Sequence, residues 1–442
     1  DILDFMRPKI LLVNPPIHDF TAYDYWLKPY GLLRVAGHLR QRADLHLFDY
    51  LDRLHPAMTA DSPSLRTDRW GRGAFRAEEL PIPTPLDNIP RIYRRFGLPR
   101  PLFREFLRRR APFDAVLIQT VMTYWYPGVR EAIADIRAVA PHARIALGGV
   151  YATLCPEHAR SLGADLIVAG LDLHPLWDFL EIPDAASPPD QLPFWDGYPQ
   201  LETGVVKLTE GCPFRCTYCS VPQVYPRFSG DLERGLAEYD HLCRLGVRHI
   251  AFYDDALLFR AEQLFLPFLE AVTERQTGVF LHTPNALNAR FISPEVARQM
   301  VRAGFRTFYL GFESRVDRWQ KQTGGKVYPA ELENAVRHLL DAGADPGEIT
   351  AYLLLGHPHA AAQDVETSMH FAHSLGIRVM LSEFSPIPGT PDGESCRQWI
   401  DLDEPLWHNK TAFPLIFLGA EKVKRLKDLG LQLNRSLPKP SV

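Results

Sequence analysis

The chain has 442 residues, 46% of them hydrophobic, and a net charge of −4. That is enough apolar material for two or three folded domains, with no overall basic field to argue for nucleic acid. Apolar runs such as Ala115–Ile118 and Tyr352–Leu355 are strand-sized, too short to span a bilayer, and Asp1–Arg7 lacks the basic-then-apolar order of a signal peptide.

In chain order, Lys9–Asn14 is a short apolar run stopped by Pro15-Pro16 and predicts a buried strand. A helix is expected over Tyr30–Arg42, then strands at Leu45–Phe48, Phe113–Gln119, Arg144–Leu147 and Ala164–Ala169, with a helix over Gly128–Ala140. Strands alternating with helices predict a doubly wound, Rossmann-like parallel sheet whose strand-end loops form the binding edge. Residues 52–112 break the rhythm and are expected to form an insertion or cap, and Arg108-Arg109-Arg110 to be a solvated helix face. The proline-rich stretch that follows predicts a linker over 183–203.

A second series begins there. Strands are expected at Val205–Leu208, His249–Tyr253, Val279–His282, Thr307–Gly311, Ile349–Leu355 and Val379–Phe384. Helices are expected near Leu232–Leu245, Ala261–Thr273, Pro294–Ala303, Pro329–Ala342 and Ala362–Leu375. This predicts an α/β chain: residues 1–182 the doubly wound domain, 204–390 a partial, TIM-like (β/α)6 barrel, and 391–442 a C-terminal extension ending in a charged helix.

Three of the six cysteines, Cys212, Cys216 and Cys219, stand together directly after a predicted strand. Cys155, Cys243 and Cys396 are scattered, so the pattern suits a thiolate-held metal centre in a reducing cytoplasm better than a disulfide framework. Three thiolates can hold three corners of a 4Fe–4S cubane and leave one iron open. A zinc site completed by a distant His is the alternative.

The run Gly211-Cys212-Pro213-Phe214-Arg215-Cys216-Thr217-Tyr218-Cys219 resembles the signature of the radical S-adenosylmethionine superfamily. The resemblance implies a 4Fe–4S cluster whose open iron binds S-adenosylmethionine, fed by an external electron donor such as flavodoxin or ferredoxin. It implies that Tyr218 lies by the adenine and that Asp254 or Asp255, after the second barrel strand, meets the amino group. Asp-Asp stands there in place of the commoner Gly-Gly-Glu. It also implies that Glu313 meets the ribose or methionine part and that Leu355 belongs to the adenine motif of the fifth strand.

The first half resembles the cobalamin-binding domain of one branch of that superfamily, through Asn14-Pro15-Pro16, Pro29-Tyr30-Gly31-Leu32-Leu33, Asp49, Gln119-Thr120, Gly148-Gly149 and Val168-Ala169-Gly170. The corrin contacts it implies are Thr120, Val121, Met122, Thr123, Tyr124, Gly148, Gly149, Val150 and Tyr151. The Asp-x-His-x-x-Gly motif that supplies a cobalt ligand is absent, so cobalamin is expected to bind without a His from this chain. Gly148-Gly149 is expected to let the corrin tail approach the backbone.

The expected function is cobalamin-dependent methylation of an unactivated carbon on a small-molecule or peptide substrate. The alternatives are a radical rearrangement, cyclisation or C–S bond formation, and, from another class, a non-catalytic iron–sulfur or zinc-binding protein. His282, Asn285, Tyr309, Glu383 and Trp407 are the candidate substrate-pocket residues.

Overall fold

Two parallel sheets organise the chain. The computed structural model describes residues 7–61, 65, 67–182 and 192–438, and the strands below are numbered in chain order. One compact unit comprises the chain up to Asp87 and Arg91–Leu201; the other comprises Asn88–Pro90 and everything from Glu202.

In the first unit, strands β1 (Lys9–Asn14), β3 (Asp44–Asp49), β6 (Ala115–Thr120), β7 (Arg144–Gly149) and β8 (Leu166–Val168) form an all-parallel sheet in the order β3-β1-β6-β7-β8. Counted within the sheet this is 2-1-3-4-5, so the strand order reverses between β1 and β6 and opens a crevice at their carboxyl ends. The strands are buried on both faces: Ile10, Leu11, Leu12 and Val13 are fully enclosed. This is why they read as continuous apolar runs rather than alternating ones.

Among the described residues of 52–112, several form regular elements. β2 (Ile17–Asp19), β4 (Ala77–Glu79) and β5 (Arg94–Phe96) make a three-stranded antiparallel sheet, and a helix spans Arg100–Arg110. That helix is anchored by Arg100 and Arg104, which both donate to the buried carboxylate of Asp135 at 2.7–2.9 Å. Its last turn carries Arg108, Arg109 and Arg110 exposed, as expected. Such short strands leave little periodicity to read.

Of the expected linker, 183–191 lie outside the described residues; 192–201 pack within the first unit, and Glu202–Thr203 already belong to the second. Trp195 is buried, the Phe194 N–H donates to the Leu33 carbonyl at 2.9 Å, and the Tyr198 hydroxyl donates to Asp49 at 2.6 Å.

In the second unit, β9 (Thr203–Val206), β12 (His249–Phe252), β13 (Phe280–Asn288), β14 (Phe305–Glu313), β15 (Ile349–Leu355) and β16 (Arg378–Glu383) pair in sequence, all parallel. This is an open, partial barrel. A two-stranded ribbon of β10 (Thr209–Glu210) and β11 (Ser229–Gly230) frames the cysteine loop. The residues after 390 belong to this unit. The terminal helix Ala420–Ser436 lies along edge strand β16, where the Asn434 side chain bonds both the N–H (2.9 Å) and the carbonyl (2.8 Å) of Val379. Among the described residues no helix is long and apolar enough to cross a membrane.

The chain's own sheet edge requires a glycine at Gly149: its φ is +109°, and a Cβ there would stand 2.2 Å from the Thr120 carbonyl oxygen. Gly148 has only ordinary neighbours, the nearest 3.7 Å away. Gly149→Ala should therefore lower stability by about 1–3 kcal/mol through overpacking, with Gly148→Ala tolerated, as read by chemical denaturation of the two variants.

Candidate active site

The cysteine loop leaves the carboxyl end of β9, and its starting point is fixed by Asp254 at the end of β12. The Asp254 carboxylate is buried and accepts from the Leu208 N–H (3.3 Å), the Thr209 N–H (2.5 Å) and the Thr209 hydroxyl (2.7 Å). Burial pushes its pKa up to about 6, against those donors. Asp254 thus ties the start of the cysteine loop to the end of the second barrel strand while also standing on the cavity wall.

Beyond the loop lies a cavity of about 330 Å³ at the barrel mouth. Its wall includes Cys212, Cys216, Cys219, Tyr218, Asp254, Asp255, Asn285 and Glu313, all named from the sequence, with Asn288 beside them. Among the described residues no three His, Cys, Asp or Glu side chains converge on a single ion, so the thiols share this wall without meeting at one point. Burial raises all three thiol pKa values, that of Cys219 to about 11, while the Lys326 ammonium pulls the other way.

Two carboxylate–ammonium pairs line the cavity. Asp255 stands 3.4 Å from Lys207, whose ammonium lies 4.0 Å above the Tyr225 ring, and Glu313 bonds Lys326 at 2.9 Å. Burial opposes the Lys326 charge, but Glu313 outweighs it and holds the pKa above the ordinary lysine range. Glu313 sits in left-handed backbone, φ +66°, where β14 shifts register against β15 between Gly311 and Glu313. A non-glycine residue in that region carries strain, and an irregular strand end re-aims the side chain. Asn288 adds a buried amide nitrogen with no hydrogen-bond partner on the cavity wall, while its oxygen accepts from the Arg290 N–H.

Lys326 and Asn288 were not singled out from the sequence. The pointer to Lys326 was the pair Gly324-Gly325, both at positive φ; a Cβ on Gly324 would come within 3.2 Å of the Cys216 backbone. Asn288 had no comparable signal, because β13 runs past Pro284 to a point where the apolar pattern has ended.

Other expected residues fall elsewhere. Leu355 is fully buried and does not line the cavity. His282 lies in the core, 3.1 Å from His249 and from Thr307. Tyr309 is buried against Tyr352, Glu383 pairs with Lys427, and Trp407 packs on the apolar cluster around Trp319 and Phe384.

At the carboxyl edge of the first unit's sheet, the Thr120 hydroxyl donates to the Gly148 carbonyl (2.9 Å) and accepts from the Ala152 N–H (3.1 Å). Thr123 and Tyr151 are buried, with the Tyr151 hydroxyl 2.6 Å from His158. These three brace the edge from beneath, while Met122 and Leu171 stand exposed on it.

Residues 206–372 match the family model of the Radical SAM superfamily. This part of the chain carries a radical SAM domain. It is 28% identical over 199 residues to an uncharacterized methyltransferase of Pyrococcus horikoshii, covering 44% of this chain and 41% of that one. It thus spans about two fifths of that relative's length. It is 25% identical over 326 residues to the bacteriochlorophyllide d C-12(1)-methyltransferase of Chlorobaculum tepidum, covering 65% and 68%. Its fold is that of the radical S-adenosylmethionine methyltransferase TsrM from Kitasatospora setae, solved with cobalamin and a [4Fe-4S] cluster: TM-score 0.62, 15% identity, 89% of this chain and 75% of that one.

The Asp254 bonds give a sign for pH dependence. With a folded pKa of about 6 against 3.8, the stabilisation from its proton is complete below the lower value and is lost as pH rises through about 6. Asp254→Asn should flatten that part of the stability–pH curve. Asp254→Ala should cost about 1–3 kcal/mol at pH 7 for each donor left unpaired, measured by denaturant titration.

Proposed function

We propose that this protein is a radical SAM enzyme that methylates an unactivated carbon of a small-molecule or peptide substrate, with a 4Fe–4S cluster, S-adenosylmethionine and cobalamin as cofactors. The observation that carries the reading is the cavity itself: three separated thiols, two carboxylates and an unpaired buried amide line one wall, in a chain that also carries a corrin-type sheet.

Cys212, Cys216 and Cys219 would hold three corners of the cluster and leave the fourth iron to the cofactor. A bound cluster and S-adenosylmethionine together supply a one-electron cleavage that yields a carbon-centred radical. Asp255 and Glu313 offer acceptors for the cofactor's ammonium and hydroxyl groups, and Asn288 offers an unspent donor. Lys207 and Lys326 pair with these two carboxylates, and a contact from the cofactor's ammonium to either would be charge-assisted. Phe214, Phe259 and Phe291, packed ring to ring at 5.8–6.3 Å on the same wall, limit water at the reacting end. An external electron donor and a reducing cytoplasm belong to the same reading.

For the corrin, the strand-order reversal supplies the crevice and Met122 and Leu171 an apolar surface at its edge. Gly170 adds open backbone, with no atom within 4 Å of a Cβ position. His18 is buried in β2, 3.4 Å from Glu131, so it offers cobalt no ligand.

Anaerobically reconstituted protein should hold about four irons per chain, and Cys216→Ala should lose them; a full cluster in that variant would overturn the assignment. Glu313→Gln should weaken S-adenosylmethionine about tenfold in binding titrations, the loss of one charge-assisted bond, with iron content unchanged. After reconstitution with hydroxocobalamin and desalting, the corrin absorption should remain with the protein. If no corrin is retained, the methyltransferase reading falls and a cobalamin-free radical rearrangement takes its place.

A further inference from the structure

The centre of the cysteine loop is held by groups that come from far along the chain. Thr217, between Cys216 and Tyr218, has all three of its polar groups engaged. Its N–H donates to the Thr323 carbonyl at 3.2 Å. Its carbonyl accepts from the Asp392 N–H at 3.2 Å, and its hydroxyl donates to Asp392 Oδ2 at 2.5 Å. Asp392 opens a short helix, Pro391–Ser395, after the turn that follows β16.

The same Oδ2 accepts from His357 Nε2 at 2.9 Å, and Oδ1 lies 3.5 Å from His359. His357 Nδ1 accepts from the Trp319 indole at 3.1 Å and from the His359 N–H at 3.2 Å. A ring nitrogen that accepts carries no proton, so the proton sits on Nε2 and points at Asp392. His357 is thereby neutral, and Asp392 brings a carboxylate into a buried position with His357 as its hydrogen-bond donor. Trp319 and His357 in turn pack against Tyr218, with ring centroids at 5.8 and 5.9 Å, and against each other at 5.2 Å.

We infer that Asp392 is a positioning residue for the iron–sulfur centre. Through Thr217 it fixes the backbone between the second and third cysteines, through His357 it fixes Tyr218, and its charge stands beside the cluster and disfavours adding an electron to it. Cluster potentials respond to nearby charge and to the order of the ligating loop. None of the three cysteines touches Asp392, so it acts through its neighbours. The inference rests on the cluster assignment proposed above.

The test separates charge from geometry. Asp392→Asn keeps an acceptor for Thr217 and His357 but removes the charge; Thr217→Val removes the hydroxyl at nearly constant shape; Thr217→Ser restores it. The readouts on anaerobically reconstituted full-length protein are iron content, the electron paramagnetic resonance spectrum of the reduced cluster and its midpoint potential by redox titration. Asp392→Asn should retain iron and shift the midpoint to a more positive value. Thr217→Val should alter the spectrum and release iron faster to a chelator, and Thr217→Ser should return both to wild type. Asp240→Asn, which breaks an exposed pair with Arg275, is the control and should change nothing. Wild-type midpoint, spectrum and chelator resistance in both Asp392→Asn and Thr217→Val would overturn the inference. Wild-type protein that takes up no cluster would instead overturn the cluster assignment, so the two failures are distinguishable.

Discussion

The Asp254 carboxylate, buried at the end of β12 and bonded to Leu208 and Thr209, is the constraint on which the barrel mouth depends. A buried charge of this kind persists only if its lone pairs are filled, and here they are filled by the last residues before the cysteine loop. The second strand thus dictates where the loop emerges from the first. The 330 Å³ cavity, the thiols on its wall and the two lysine–carboxylate pairs all follow from that one point of departure.

The loop is also held at its middle, by Thr323, Asp392 and the His357–Trp319 pair, and Gly324 lets a neighbouring turn approach the Cys216 backbone. The holding groups come from the loops after the fourth, fifth and sixth strands. A parallel barrel gathers such loops at one end, so residues remote in sequence can pin a motif of eight residues, Cys212–Cys219, that carries no regular structure of its own beyond a turn.

Much of this could be read from the sequence, for identifiable reasons. β1 and β15 were placed at their observed ends because an apolar run flanked by turn residues is an unambiguous signal when a strand is buried on both faces. The cysteine spacing led to the site because thiolate chemistry is local. The separate roles within the Asp-Asp pair were not legible: both residues follow β12, and only the structure shows Asp254 bonding the Leu208 and Thr209 N–H groups while Asp255 pairs with Lys207. Leu355 ends β15 fully buried, which an apolar run alone does not reveal. Lys326 and Asp392 were missed because their significance is a distance to something far away in the chain. The antiparallel sheet of the insertion was missed because strands of three residues carry too few alternations to read.

The terminal helix offers a last consequence. A sheet that stops without closing presents a row of unpaired amide groups, a template on which a second molecule can lay down a strand. At β16 the side chain of Asn434 takes both polar groups of Val379, so a single residue imitates the neighbour that a closed barrel would have supplied. The helix that delivers it thus occupies, at Val379, the place where a further strand would otherwise add to the open edge.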